Sequence, residues 1–225
     1  MADVRLIKIR QDILSDNLLL AEDIRDSLTA KRTALINIMS SPGSGKTSLI
    51  LKTIEALRDR FSIGVIEADL DSTVDADKIA AVGISAVQIE TGGFCHVNAA
   101  MLQQALDSLP VGNLDLIILE NVGNLVCPAD SDTGAHINIV LLSVPEGDDK
   151  PLKYPKIFST VDAVILNKID YLSIAQFDTE GFWKNVSALN RGARQLSLSC
   201  ATSDGVETWV SWLAGELAGL KLGNG

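Results

Sequence analysis

No apolar run in this sequence approaches the roughly 18–20 residues that a bilayer-crossing helix needs, although 47% of its 225 residues are apolar. The N-terminal stretch, residues 1–17, mixes charges throughout and lacks the apolar core of a secretion signal. These absences predict a cytoplasmic protein with no membrane partner. Positive charge is also in short supply: 29 acidic residues face 19 basic ones, a formal net charge of −10. Such a chain has no broad cationic surface with which to release counterions, which excludes general nucleic-acid binding. Polyanions are left only a local site built from backbone N–H groups. Cysteine is limited to three residues. That odd number gives no disulfide framework, so each thiol is core filler, ligand or nucleophile. Repeats, low-complexity tracts and long linkers are absent too. What remains, with 21% charged residues, has the composition of a folded domain and not of a disordered chain.

Short β-rich runs alternate with amphipathic stretches. Strands are expected at 34–39, 63–68, 85–89, 114–119, 137–144, 163–166 and 195–198, several of them apolar without alternation, as strands buried on both faces are. Helices are expected near 47–59, 74–82, 97–108, 172–190 and 205–220. This order predicts an α/β fold, a mostly parallel sheet flanked by helices on both faces. Before it, Ile13, Leu14, Leu18, Leu20, Ile24 and Leu28 recur at helical spacing. Residues 1–32 therefore read as a helical extension and 33–225 as one domain. In such sheets ligands sit beyond the carboxyl ends of the strands. Residues capable of chemistry follow the strands here: Ser40–Thr47, Asp69, Glu120 and Asn167–Asp170.

Residues 40–47 fit the phosphate-binding loop GxxxxGK[ST], with Ser40 in place of the first glycine. Gly43 and Gly45 allow backbone conformations in which successive N–H groups, including that of Ser44, turn inward around phosphate oxygens. Lys46 brings a full positive charge to the β/γ oxygens. Thr47 offers a hydroxyl to Mg²⁺ at a helix start whose dipole favours anions, and Ser48 follows in the same turn. Asn167-Lys168-Ile169-Asp170 fits the guanine-reading NKxD, and its place after a buried strand makes the match specific. The Asp170 carboxylate can accept from guanine N1–H and the 2-amino group. Adenine would leave it unpaired, at about 1–3 kcal/mol. Ser199-Cys200-Ala201 stands where GTPases place a backbone contact to the guanine oxygen. Glu120-Asn121-Val122-Gly123 takes the place of DxxG: Glu120 can orient Mg²⁺ or its water, and Gly123 can offer an N–H to the γ-phosphate. Asp69 is a second candidate for the Mg²⁺ shell or for the attacking water, with Asp71, Asp75 and Asp77 close behind. Asn124, and not glutamine, follows Gly123, which predicts slow unaided hydrolysis.

Cys95-His96 is a thiol–imidazole pair suited to Ni²⁺ or Zn²⁺, and Cys127 lies in the segment that would answer to the γ-phosphate. Three ligands are one short of a tetrahedral site, so a water or a second copy of the chain would complete it. On chemistry alone, structural cysteines beside an exposed histidine are the simpler reading, and ligation stays open. Cys200 reads as a small core or loop residue, and His136 as an edge residue.

The runs IETGGFCHVNAAM (89–101), LENVGNLVCPADSDTGAH (119–136), SVPEGDDKPLKYPKIF (143–158) and VILNKID (164–170) resemble the hydrogenase nickel-incorporation GTPases, the HypB family. The likeness extends from about Ile36 to Gly205. It implies a SIMIBI-type P-loop GTPase that binds GTP/GDP and Mg²⁺ and delivers nickel to the [NiFe]-hydrogenase large-subunit precursor with a maturation partner protein. It also implies that Cys95, His96 and Cys127 are metal positions, for Ni²⁺ or Zn²⁺. Lys153 matches a lysine that reaches the guanine of the partner subunit in a GTP-promoted homodimer. This chain has no Cys or His before Cys95, carries Ala100 and Gln104 where some members place histidines, and has Ala68 where a glycine commonly precedes the Asp. The urease accessory GTPases are the nearest other family, with a CPH sequence and a different acidic motif. A GTP-sensing interaction protein with structural cysteines is the alternative from another class.

Overall fold

Seven parallel strands lie in the order β3-β2-β4-β1-β5-β6-β7: β1 Ala34–Ser40, β2 Ile63–Asp69, β3 Ser85–Glu90, β4 Leu116–Gly123, β5 Ile137–Ser143, β6 Ala163–Asn167 and β7 Arg194–Ser197. The computed structural model describes the backbone of residues 9–69 and 74–222, and the side chains of 15–68 and 78–220. The helices are α1 Ile9–Ala30, α2 Lys46–Leu57, α3 Val74–Ala81, α4 Ala99–Leu106, α5 Lys150–Lys153, α6 Pro155–Thr160, α7 Thr179–Leu189 and α8 Val206–Leu222. The central strands are buried along their whole length because both faces are covered. On one face Ile36, Ile38, Leu116, Ile118 and Ile139 pack under α2 and α8, where Trp209 Nε1 donates to Thr53 Oγ1 at 2.9 Å. On the other face, Ile117 and Leu119 meet α1 and α4, while Val140, Leu142 and Leu166 meet α6 and α7. From α1, Ala21, Ile24 and Leu28 enter this core, whereas Leu18 and Leu19 point to solvent; the side chains of Ile13 and Leu14 lie outside the described residues. Among the described residues no helix is long and apolar enough to cross a membrane.

The elements differ from the sequence expectation where side-chain chemistry decides a boundary. The helix expected over 172–190 begins at Thr179, because the Asp178 side chain accepts from Gly181 N–H as an N-cap. Asn98 does the same for α4 by accepting from Met101 N–H. Between β5 and β6, α5 and α6 were not anticipated: at four and six residues they are too short to show a helical period. Strand β4 starts two residues later than expected and runs on to Gly123, so Glu120 sits inside the strand, not after it. Its pairing with β1 is irregular. Ile38 opposes Glu120 but Ser40 opposes Gly123, so β4 holds an extra residue just where the acidic motif lies. Such a bulge re-aims side chains beside a site.

Candidate functional site

Because every strand is parallel, all seven carboxyl ends fall on one edge, and the phosphate loop occupies its centre. Gly43 and Gly45 hold φ of +77° and +103°, the left-handed region that favours glycine. At Gly45 there is no room for a side chain in any case, since a Cβ would stand 2.5 Å from Asn167 Nδ2. Lys46 opens α2 and donates from Nζ to Ser40 Oγ at 3.0 Å. The serine that replaces the first glycine thus supports the loop, because its buried hydroxyl receives the loop lysine and donates to Ser41 O. Thr47 Oγ1 donates to Glu120 Oε1 at 3.0 Å. The side chain of Ser44 is buried, which leaves its backbone N–H for an anion, and Ser48 is exposed at the rim. A cleft of about 560 Å³ opens here, lined by Lys46, Thr47, Ser48, Glu120, Gly123 and Lys168. A larger depression of about 970 Å³ lies at the opposite edge, among Asp162, Arg194 and Trp212, and contains none of the motifs.

The Asn167–Asp170 segment, expected from the sequence to read guanine, is wired to this loop. Asn167, 1% exposed, donates to Ser44 O at 2.9 Å and accepts from Lys168 N–H at 2.7 Å and Cys200 N–H at 3.2 Å. Lys168 adopts a left-handed backbone and donates to Gly43 O at 2.7 Å. Asp170 Oδ1 accepts from Ser199 Oγ at 2.5 Å, and Ala201 is exposed beside it. Burial pushes the Cys200 thiol up to about 11, so it stays protonated. Lys153 stands exposed on α5, where Asp149 holds it at 2.5 Å and raises its pKa. Asp69 ends β2 as expected; its side chain, like those of Asp71, Asp75 and Asp77, lies outside the described residues.

Two loops converge at the metal candidates. Cys95 and His96 precede α4, and Cys127 opens a single turn after β4. Their ligand atoms all lie within 4.8 Å of one another, with Cys95 Sγ 3.8 Å from His96 Nδ1. A hydrogen bond with Cys127, then burial, raises the Cys95 thiol, and burial lowers His96. The Cys95 thiol therefore holds its proton, the imidazole is neutral, and a divalent cation would release the Cys95 proton on binding. Phe94 and Val126, each one residue before a cysteine, are 57% and 56% exposed.

Residues 34–197 match the family model described as CobW/HypB/UreG, nucleotide-binding domain. Over 213 residues the chain is 43% identical to the hydrogenase maturation factor HypB of Rhizobium leguminosarum bv. viciae, which covers 95% of this chain and 71% of that protein. The chain belongs to the HypB family of hydrogenase maturation factors. The structure of HypB from Helicobacter pylori in complex with nickel superposes with a TM-score of 0.85 at 38% identity, over 90% of this chain and 95% of that one. HypB from Archaeoglobus fulgidus gives the same TM-score at 36% identity, over 90% and 99%.

Sequence reasoning missed two groups at this HypB-type nucleotide cleft. Glu146 accepts from Ser41 Oγ of the phosphate loop and from both Ser143 N–H and Oγ; burial raises its carboxyl. Nothing local in the run around Glu146 marks it, because its partner is far away in the chain. Glu67 is 2% exposed, lines the cleft, and lies in register beside Glu120 on the neighbouring strand. The two-residue period from Asp69 was the available signal.

Proposed function

We propose that this chain is a GTP-hydrolysing nickel carrier of [NiFe]-hydrogenase maturation, with residues 33–225 as the nucleotide-binding domain and 1–32 as a helical extension. One observation carries the reading: β4 serves both chemistries at once. Its Glu120 takes the hydroxyl of Thr47 in the phosphate loop, and the turn that follows it brings Cys127 to Cys95 and His96.

Backbone N–H groups of Gly43–Thr47 cradle the phosphates, and Lys46 exchanges Ser40 for the β/γ oxygens. The hydroxyl of Thr47 and the carboxylate of Glu120 form a hard-oxygen donor set of the kind that suits Mg²⁺, with Asp69 as a third oxygen. When bound, that ion neutralises charge developing on the phosphates. Gly123 offers its N–H to the γ-phosphate, Asp170 reads guanine, Lys168 lies along the base, and the loop of Ser199, Cys200 and Ala201 meets the guanine oxygen. Hydrolysis is slow because the Asn124 amide, shorter than that of glutamine, is engaged by Cys95 O and Val126 N–H and not by the attacking water. Cys95, His96 and Cys127 hold Ni²⁺, or Zn²⁺ in its place, as cargo, with an affinity set by the nucleotide state. GTP promotes a homodimer in which Lys153 leaves Asp149 for the base bound to the partner subunit. The metal passes through a maturation partner protein to the hydrogenase precursor.

The test is nickel binding by the purified chain and two thiol variants. Cys127→Ala should lower Ni²⁺ affinity by at least about tenfold, a loss of 1.4 kcal/mol or more, and leave GTP binding intact. Cys200→Ala should change neither. Equal nickel binding by Cys127→Ala and the unaltered chain would favour a GTP-sensing protein with structural cysteines instead.

A further inference from the structure

Asn121 in the acidic motif and Asn124 just after it hold the backbone on either side of His96. Asn121 Oδ1 accepts from Val97 N–H at 3.1 Å, directly after His96. Asn124 Nδ2 donates to the carbonyl of Cys95 at 3.3 Å. Their surroundings differ. Asn121 is 1% exposed; its Oδ1 also accepts from Val122 N–H, and its Nδ2 donates to Asn37 Oδ1 at 3.1 Å. Asn37 in turn donates to Asn138 Oδ1 at 3.1 Å. This row ties three strands of the sheet core together and fixes Val97. Asn124 stands half-buried beyond the end of β4, and its Oδ1 accepts from Val126 N–H at 2.8 Å, one residue before Cys127. One amide therefore touches both halves of the metal triad.

We infer that Asn124 is the positioning residue that carries nucleotide state to the metal ligands, with Asn121 as the fixed point against which it acts. The inference rests on the proposed coupling of GTP and nickel. Gly123 abuts the phosphate loop so closely that a Cβ there would stand 3.0 Å from Pro42 N. A triphosphate that draws in the Gly123 N–H also moves Asn124. The chain carries Cys127 with it, and the amide draws on the Cys95 carbonyl. Val97 stays behind, held by Asn121. The Cys95 and Cys127 sulfurs then shift against the His96 ring, and metal–ligand distances tolerate only about 0.2 Å. A short amide suits this task, since its nitrogen donates to one loop while its oxygen accepts from the other. The side-chain type that orients water in other GTPases at the position after the glycine is here turned toward the metal loop.

The experiment titrates Ni²⁺ into the full chain with GDP and with a non-hydrolysable GTP analogue, for the unaltered protein, Asn124→Asp and Asn124→Ala. The Asp variant keeps the acceptor for Val126 N–H and loses the donor to Cys95. Asn98→Ala, which removes only the α4 cap, serves as a structural control. Both Asn124 variants should still bind one Ni²⁺ per chain with thiolate-to-nickel absorption. Their GTP-to-GDP affinity ratio should fall toward unity, from a ratio of about 5–150 in the unaltered protein, while Asn98→Ala keeps it. A ratio preserved in the Asn124 variants overturns the inference and leaves the coupled reading standing. Equal loss of Ni²⁺ in both nucleotide states also overturns it, since Asn124 would then merely shape the site. A ratio of one in the unaltered protein sinks the coupled reading and this inference with it.

Discussion

The guanine side and the metal side of the sheet edge are built to different standards. Around guanine, Asn167 alone makes three hydrogen bonds while almost wholly buried, and Lys168 and Asp170 are each already paired. Around the candidate metal site, three half-buried side chains converge from two loops, flanked by the exposed Phe94 and Val126. A site that must read one base gains from donors and acceptors fixed beforehand, because their ordering cost is met in folding and not in binding. A site that must take up and surrender cargo gains from ligands on loops that shift. On the proposed reading, the first region serves recognition and the second exchange.

The largest effect expected from breaking the rigid side is at Asn167. Asn167→Ala leaves Ser44 O, Lys168 N–H and Cys200 N–H without their partner, and should cost about 2–5 kcal/mol of stability. Denaturant unfolding measures it, and GTP affinity should fall with it, while Ni²⁺ still binds the folded fraction. Asp170→Asn should spare the fold and weaken GTP by about tenfold or more, roughly 1–3 kcal/mol, because an acceptor of guanine N1–H becomes a donor. Competition between GTP and ATP measures that, and equal affinities in the unaltered chain would contradict the assignment.

A gentler test loosens the seam of α1 at the opposite edge of the sheet. His136 Nδ1 accepts from Leu35 N–H, and its Nε2 lies 3.0 Å from Thr29 Oγ1 on α1. Burial, then the charge of Arg25, lowers its pKa. The folded state therefore takes up a proton later than the unfolded state does. Stability should fall as pH drops below about 6.5, by at most about 1.4 kcal/mol per pH unit for one proton. The same helix bears on the metal loops: Asn17 accepts from Ala99 N–H and donates to Asp132 O, and Arg25 pairs with Asp132. His96 is shifted in the same direction, so the difference between the unaltered chain and His136→Gln, read as unfolding midpoints at pH 7.5 and 5.5, isolates this seam.

Much of this comparison was legible in the sequence because its parts are local. Gly43-Ser44-Gly45-Lys46-Thr47 and Asn167-Lys168-Ile169-Asp170 name their own chemistry, and apolar runs such as Ile117–Leu119 and Ala163–Leu166 name their strands. The Cys95-His96 pair and Cys127 were identifiable through the family pattern, and folding brings them together. What sequence could not show depends on the third dimension. The bulge that sets Asn121 apart from Glu120 is a property of two strands together. The hold of Glu146 on the phosphate loop and of Asn124 on Cys95 joins residues 105 and 29 positions apart. Helices α5 and α6 carry too few residues for any period to appear.

The central claim is that one strand end links nucleotide to metal, and linkage makes it testable from the nucleotide side, where the site is rigid and binding is readily measured. The measurement is the ratio of GTP-analogue to GDP affinity, with and without saturating Ni²⁺. A coupled molecule changes that ratio by the same factor that nucleotide exerts on nickel, about 5–150-fold, or roughly 1–3 kcal/mol. Cys127→Ala abolishes the change. An identical ratio with and without Ni²⁺, in a chain that binds both ligands, would contradict the account.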